Sequence, residues 1–205
     1  MPGRAALLGL MGLQTVFFLI IGLALWSLSG RSTSGFVTFG GDEMLLGLGL
    51  AAILVVIGAA GYYGFPRLSD YLVRAQAKTY AFLENPLPLW AIGLVSIGAG
   101  VGEEALFRGG VQTLAADYVG MPVAIVIASA LFAVVHFAKP LIATIIFVIG
   151  AVFGVIYWQT GSLLAVMIAH ALYDVFALWY VQKEMHRLGV FAPANHPASQ
   201  GTGAE

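Results

Sequence analysis

Nine residues, Val101-Gly-Glu103-Glu104-Ala-Leu-Phe107-Arg108-Gly109, place the strongest constraint on the architecture of this chain. They belong to an apolar stretch long enough to cross a membrane, yet they contain two carboxylates and a guanidinium. An ionisable group at membrane depth costs about 2.5–3.5 kcal/mol on insertion scales, so such groups are typically kept for ion movement, proton movement or catalysis. The stretch therefore predicts a membrane helix that carries a functional site.

The composition outside this stretch agrees with a membrane protein. Of the 205 residues, 60% are hydrophobic and only 9% are charged, whereas a soluble domain carries about 25% charged residues. We therefore expect the lipid bilayer to be the main surroundings of the chain. The net charge of −1 argues against a nucleic-acid partner. The absence of cysteine excludes disulfides, thiolate metal ligands and a cysteine nucleophile.

Hydropathy predicts an all-α polytopic membrane helix bundle. A spanning helix needs about 20 apolar residues, and the segments that qualify are 5–28, 44–63, 87–107, 121–137, 141–158 and 162–181. A short helix lying at the membrane surface is predicted over residues 71–83. Residues 1–188 are expected to form a single transmembrane domain. Residues 189–205, rich in Gly, Pro, Ala, Ser and Thr, are predicted to be a disordered tail.

The distribution of basic residues predicts the orientation. With about six transmembrane helices, both termini lie on one side, and most of the basic residues fall on that side: Arg4, Arg67, Arg74, Lys78, Lys139, Lys183 and Arg187. Arg31 and Arg108 fall elsewhere. The positive-inside rule then predicts a multi-pass protein of the cell (plasma) membrane with both termini cytoplasmic. The first apolar segment is too long for a cleaved signal peptide, so we expect it to be retained.

The adjacent glutamates are predicted to have different roles. Neighbours on a helix point about 100° apart, so Glu103 and Glu104 face different surroundings. Glu104 and Arg108 are spaced i, i+4, which favours a buried ion pair with a structural role. Glu103 has no cation at pairing distance on its own helix. The alternative interpretation is that both glutamates mark a helix end near the interface.

Two histidines lie in other apolar segments. Phe132 and His136 share one helical face, as do His170 and Asp174. Asp174 either fixes the tautomer of His170 or lines the same cavity beside it. A histidine satisfied within the core and a closed His–Asp pair are the structural alternatives. Because none of these groups is tolerated alone at that depth, we expect one polar cavity to collect Glu103, Glu104, Arg108, His136, His170 and Asp174.

These groups suit the activation of water. No serine lies in a Gly-x-Ser-x-Gly elbow. Glu103 could act as a general base assisted by His136, while His170 hydrogen-bonds the oxyanion that forms on a carbonyl. The same three residues could instead bind Zn²⁺, although the His-Glu-x-x-His spacing is absent. We expect no cofactor, with zinc as the alternative.

The motifs together resemble those of the CPBP family. This family, also called Abi, comprises the type II CAAX prenyl endopeptidases and bacterial bacteriocin-processing or immunity relatives. Its first motif, Glu-Glu-x-x-x-Arg, is similar to Glu103 through Arg108, followed here by Gln112. Phe132-x-x-x-His136 resembles the second motif, and His170-x-x-x-Asp174 resembles the third, His-x-x-x-Asn or Asp. The resemblance covers residues 85–180.

This resemblance implies an intramembrane protease of six to eight helices acting on CAAX-like proteins, peptides or other membrane proteins. It implies that Glu103 and His136 activate water and that His170 donates to the oxyanion, with Glu104, Arg108 and Phe132 in support. Asp174 replaces an asparagine and cannot donate a hydrogen bond when ionised. It is therefore either protonated or a residue that orients His170.

Two rival functions follow from the same residues. One is a non-catalytic immunity or binding protein of the same fold. The other is a small transporter that relays protons through Glu103 and the histidines. The predicted spans also leave a difficulty of depth. At about 1.5 Å per residue, Glu103 and His170 lie at similar depth, whereas His136 lies about 10 Å nearer the cytoplasm.

Overall fold

The structure is a computed structural model that describes residues 3–191, and within that range all regular secondary structure is helical. From residue 192 onward, the predicted disordered tail lies outside the described residues. The α-helices are α1 Arg4–Leu28, α2 Gly41–Gly64, α3 Pro66–Ala75, α4 Leu89–Glu104, α5 Thr113–Val119, α6 Met121–Val135, α7 Pro140–Thr160 and α8 Leu163–Arg187. Short 3₁₀ turns cover Thr33–Gly35 and Ala81–Glu84. The predicted all-α bundle is confirmed.

Five stretches of helix are long and apolar enough to cross a membrane: Arg4–Leu28, Gly41–Gly64, Leu89–Val119, Pro140–Thr160 and Leu163–Arg187. The apolar helix α6 has 15 residues. It is therefore about 22 Å long, against about 30 Å for the hydrocarbon core. Helices α1 and α2 turn large apolar side chains such as Leu13, Phe17 and Val56 outward. Such continuous apolar surface is typical of contact with lipid.

Helix α8 lies at the centre of the bundle. It packs against α2 on one side and α4 on the other, while α6 and α7 pack as a hairpin. Helix α1 packs against α4 and against residues 105–112. Consecutive crossings alternate in direction, so connections 65–88 and 136–139 lie where α1 begins and α8 ends. We call this side of the bundle the Arg4 end. The three motif-bearing helices α4, α6 and α8 thus surround one interior region.

Helix α4 continues into α5 through a π-helical segment, Ala105–Gln112. At the end of this segment, Thr113 Oγ1 donates to the Arg108 carbonyl, five residues earlier, at 2.9 Å. Gly110 allows α1 to approach this segment, because a Cβ there would lie 2.9 Å from Gly22 Cα. The helix therefore runs through Gly109-Gly110 as π turns, which are rare and often found at functional sites.

Helix α6 ends next to Glu103, contrary to the depth expected from the sequence. It starts after Gly120, at the end opposite Arg4, and stops at Val135. His136 follows directly, and Phe137 adopts a left-handed φ of 46°. The sequence prediction assumed that residues 121–137 cross the whole bilayer. The observed packing brings His136 Nε2 to 4.0 Å from Glu103 Oε2, so the expected difference of about 10 Å in depth is wrong.

The predicted interfacial helix has wrong bounds. Helix α3 begins at Pro66 instead of residue 71 and ends at Ala75 instead of residue 83. Proline is tolerated in the first turn of a helix, where its missing N–H has no partner to lose. Pro66 therefore starts the helix. At the other end, the Gln76 side chain donates to the Leu72 carbonyl at 3.1 Å, and turns follow up to the 3₁₀ segment.

Candidate active site

The two adjacent glutamates face different partners. Glu104 is completely buried, and its Oε1 accepts hydrogen bonds from Arg108 Nη1 at 2.9 Å and from His170 Nδ1 at 2.8 Å. Glu103 keeps 13% of its side chain exposed and points into a cavity. The predicted Glu104–Arg108 pair is confirmed. The hydrogen bond between Glu104 and His170 was not predicted, because these two residues lie 66 positions apart on different helices.

Arg108 is held by partners from three helices. Its Nη2 donates to the Gly150 carbonyl of α7 at 2.9 Å, and its guanidinium lies 4.7 Å from the ring centroid of Phe132. That position over an aromatic face adds a cation–π attraction. A Cβ at Gly150 would lie 3.1 Å from Phe132 and 3.2 Å from Arg108, so glycine makes room for both groups. The ion pair is thus packed and hydrogen-bonded away from water.

His170 is oriented by Glu104. The Glu104 carboxylate, which already accepts from Arg108, can only accept from the imidazole, so Nδ1 carries the proton. Nε2 then lies 3.8 Å from Glu103 Oε2 and 3.4 Å from Asp174 Oδ2. The ring stacks on Phe153 at 5.4 Å. Of the two interpretations of Asp174, the structure favours the one in which it lines the cavity beside Nε2.

His136 also has a defined tautomer. Its Nδ1 lies 2.6 Å from the Phe132 carbonyl oxygen, which can only accept, so Nδ1 is the donor. In the neutral ring, Nε2 therefore keeps its lone pair. Nε2 lies 4.0 Å from Glu103 Oε2, and 32% of the His136 side chain is exposed. The Phe132 ring meets the imidazole edge-on, at 4.7 Å between centroids.

The distances around Glu103 are suited to a bridging water. Separations of 4.0 Å to His136 and 3.8 Å to His170 exceed the length of a hydrogen bond. A water molecule can bridge polar atoms that are too far apart to bond directly. The predicted convergence of the motif residues around one cavity is confirmed. Four predicted residues line the cavity, Glu103, His136, His170 and Asp174, and the pair Glu104–Arg108 lies directly behind them.

This cavity, which we call the catalytic cavity because it holds the candidate catalytic residues, has a volume of about 460 Å³, within the range of small-molecule pockets. Helices α1, α4, α6, α7 and α8 contribute to its walls, together with residues 72–82. Most of the wall is apolar, as shown by Phe18, Val95, Ile149 and Leu178. A peptide with apolar side chains can therefore lie against these walls while its backbone reaches the polar groups.

Helix α7 contributes residues that the motifs did not reveal. Phe153 stacks on His170, and the Gly150 carbonyl accepts from Arg108. One turn further on, Gln112 Nε2 donates to the Gly154 carbonyl at 2.9 Å. A Cβ at Gly154 would lie 2.7 Å from Gln112 Oε1. The spacing Gly150-x-x-x-Gly154 was the available signal, since small residues at i, i+4 allow close helix contact in membranes.

The donor set can be tested against zinc. Within residues 3–191, no three or more His, Asp or Glu side chains are grouped as a metal site. Ligands of a tetrahedral zinc lie about 3.3 Å from one another, somewhat closer than the 3.8 and 4.0 Å separations from Glu103. The chemistry is nevertheless suitable, because Glu104 accepting from His170 Nδ1 is the carboxylate–histidine arrangement that orients zinc ligands. Glu103, His136 and His170 would hold the ion.

Comparison with known proteins agrees with the motifs. The family described as type II CAAX prenyl endopeptidase Rce1-like matches residues 85–176, a range that contains every motif residue. No curated protein and no solved structure matches the chain. Over this range the chain carries an Rce1-like domain, consistent with a protease of the CPBP family. The match and the apolar helices together indicate a multi-pass membrane protein.

Proposed function

Because residues 85–176 carry a CAAX-type protease domain, we propose that this chain is an intramembrane endopeptidase whose water nucleophile is activated by Glu103 and His136. One observation carries the proposal: Glu103 Oε2 lies 4.0 Å from His136 Nε2 and 3.8 Å from His170 Nε2. A carboxylate with no cation of its own, facing two imidazoles across the width of a water molecule, is arranged as a general base.

In the first step, a water between Glu103 and His136 attacks the scissile carbonyl carbon. Glu103 takes one proton of the water, and the other is hydrogen-bonded to the lone pair of His136 Nε2. The tautomer needed for this is held by the bond from His136 Nδ1 to the Phe132 carbonyl. Positioning both acceptors lowers the entropy cost of bringing water to the carbonyl.

The oxyanion is stabilised by His170. Its Nδ1–H is engaged by Glu104, so donation from Nε2 requires an imidazolium with a proton on each nitrogen. Asp174 Oδ2, 3.4 Å from Nε2, supplies negative charge beside that cation, while Glu103 holds the proton taken from the water. In this role an ionised Asp174 stabilises the donor and does not contact the oxyanion itself. A fixed cation at the developing charge is a large source of catalysis.

The tetrahedral intermediate then breaks its C–N bond. Glu103 returns the proton to the leaving nitrogen, so one peptide and one water give a carboxylic acid and an amine. The substrate is a membrane-associated or CAAX-like polypeptide whose apolar side chains lie on the cavity walls. We propose that the enzyme acts in the cell membrane with both termini cytoplasmic; the concentration of basic residues at the Arg4 end supports this orientation.

Cleavage of a membrane-peptide library by purified protein in detergent tests the proposal. We expect mass spectrometry to find products with wild type and none with Glu103→Gln. Equal binding of peptides by both proteins without cleavage by either would indicate a non-catalytic binding protein of the same fold. If zinc is bound at Glu103, His136 and His170, it supplies a Lewis acid for the same water, and a chelator would then abolish cleavage.

A further inference from the structure

A second cavity, of about 430 Å³, adjoins the catalytic cavity at the Arg4 end of the bundle. We call it the vestibule. Its walls are residues 74–80, the connection 136–139 and two side chains of α7, Ile142 and Ile146. The two cavities share part of their lining, Gln76, Thr79, Tyr80, His136, Ile142 and Ile146. A ligand in the vestibule therefore contacts the same imidazole that faces Glu103.

The two cavities have opposite charge. The vestibule is lined by three cations, Arg74, Lys78 and Lys139, and by no carboxylate. None of these cations forms an ion pair with another side chain in residues 3–191. The catalytic cavity, in contrast, contains the carboxylates Glu103 and Asp174. A negatively charged group is attracted by the first cavity and repelled by the second.

We propose that the vestibule is a subsite for a carboxylate of the polypeptide substrate, which fixes the register of the peptide in the catalytic cavity. This inference rests on the proposed protease function. The carboxylate is supplied by an acidic side chain or by the C-terminus of the substrate. Attraction at Arg74, Lys78 and Lys139 and repulsion at Glu103 and Asp174 act in the same direction, and specificity commonly uses both.

The boundary between the cavities favours a polypeptide over a lipid headgroup. Thr79 and Tyr80, which carry uncharged hydroxyl groups, line both cavities where they meet. Burial raises the pKa of Tyr80, so its hydroxyl stays a neutral hydrogen-bond donor. Such groups suit a peptide backbone that continues from one cavity to the other. A headgroup bound in the vestibule gains nothing from contact with His136, whereas a substrate must reach it.

The test compares two charge-matched triple variants of the full chain in neutral-lipid nanodiscs. The vestibule variant is Arg74→Gln/Lys78→Gln/Lys139→Gln. The control is Arg4→Gln/Arg67→Gln/Lys183→Gln, whose cations are exposed on the same side of the bundle but line neither cavity. Each is also made with Glu103→Gln, so that peptide binding is measured by fluorescence anisotropy without turnover.

Three peptides of one sequence are used: one with acidic side chains and an amidated C-terminus, one neutral with a free C-terminus, and one neutral and amidated. One of the two carboxylate-bearing peptides is expected to respond. For that peptide, the vestibule variant should raise both Kd and KM by on the order of tenfold, because three weak attractions between a cation and the carboxylate are lost together. We expect kcat to change less than about twofold, and the effect to fade with salt. Which of the first two peptides responds identifies the source of the carboxylate.

Equal affinity of the vestibule variant and the control for every peptide overturns the proposal. So does a loss of binding to vesicles containing anionic lipid, with no loss of peptide affinity, because it assigns these cations to the membrane surface. Turnover that survives Glu103→Gln overturns the proposed function instead. The binding measurements do not depend on turnover, so the two failures are distinguishable.

Discussion

Glu103 and Glu104 are consecutive residues, yet one belongs to a sealed layer of the bundle and the other to an open one. In the sealed layer, Glu104, Arg108 and Gln112 are at most 1% exposed and are hydrogen-bonded to neighbouring groups. In the open layer, Glu103 and His136 keep 13% and 32% of their side chains exposed and stay 4.0 Å apart. Buried, hydrogen-bonded partners give rigidity, whereas a gap of this width leaves a place for a reactant.

The largest expected effect comes from Glu103→Gln in the open layer. Removing a general base typically costs about 10²–10⁴ in rate, so we expect peptide cleavage to fall by that factor. Folded yield and thermal stability should match wild type, because Glu103 has no direct hydrogen bond to lose. Size-exclusion yield and cleavage kinetics on one preparation measure both. Retained turnover would remove Glu103 from the mechanism.

The sealed layer should give the opposite result. Arg108→Met leaves the buried Glu104 without its guanidinium partner, so we expect the free energy of unfolding to fall by about 3–5 kcal/mol. Arg31→Met is the control: its pair with Asp117 is more than a third exposed, and solvent screens such pairs, so its loss should cost far less stability. Denaturation in detergent compares the two variants. Equal stability losses would contradict the distinction between the layers.

A double variant sharpens this comparison. Glu104→Met/Arg108→Met removes both buried charges together, and such replacements are often neutral or stabilising. We expect it to recover most of the stability lost in Arg108→Met. It should remain inactive, because His170 Nδ1 then has no carboxylate to orient it. Recovery of both stability and cleavage would show that Glu104 does not position His170.

A smaller effect is expected from the close contact of α4 with α8. A Cβ at Gly100 would lie 2.7 Å from the Ala171 backbone nitrogen, so Gly100→Ala should destabilise the fold by about 1–3 kcal/mol. Gly93→Ala, on the same helix with no atom within 4 Å of the added Cβ, is the control. It should be neutral or stabilising by about 0.5–1 kcal/mol. Thermal melting compares the Tm values of the two variants. A lower Tm for Gly93→Ala than for Gly100→Ala would show that the close contact between α4 and α8 does not lie at Gly100.

The smallest effect is expected from chelation. If Glu103 and His136 activate water without a metal, dialysis against a strong chelator should leave the cleavage rate of purified protein within about twofold of its starting value. The zinc content of the same sample is measured in parallel. Stoichiometric zinc that is lost together with activity, and restored with it, would replace the proposed mechanism with the metal-dependent one.

Contacts within one helix could be predicted from the sequence, whereas contacts between two helices could not. The Glu104–Arg108 pair was predictable because the spacing i, i+4 fixes its geometry locally. The bond from His170 to Glu104 was not, since it depends on how α8 packs against α4. Likewise, the roles of Gly150 and Phe153 follow from the position of α7, which carries no motif.

Helix boundaries show the same limit. The apolar run of α6 continues to Phe137, so hydropathy extends the helix past its true end at Val135. The stop is instead visible in the backbone, where Phe137 takes a left-handed conformation. In the connection 65–88, the predicted helix began at residue 71, whereas the observed helix begins at Pro66. The fold class and the set of motif residues were predictable, whereas the depth of His136 required the tertiary structure.

The short α6 also has a consequence for the lipid around the protein. A helix of 15 residues is about 8 Å shorter than a typical hydrocarbon core. Hydrophobic mismatch of this kind is relieved by local thinning of the bilayer at a modest cost for each ångström. The membrane beside α6 and residues 136–139 is therefore expected to be thinner than elsewhere around the bundle. Acyl-chain length would then affect how easily water reaches His136.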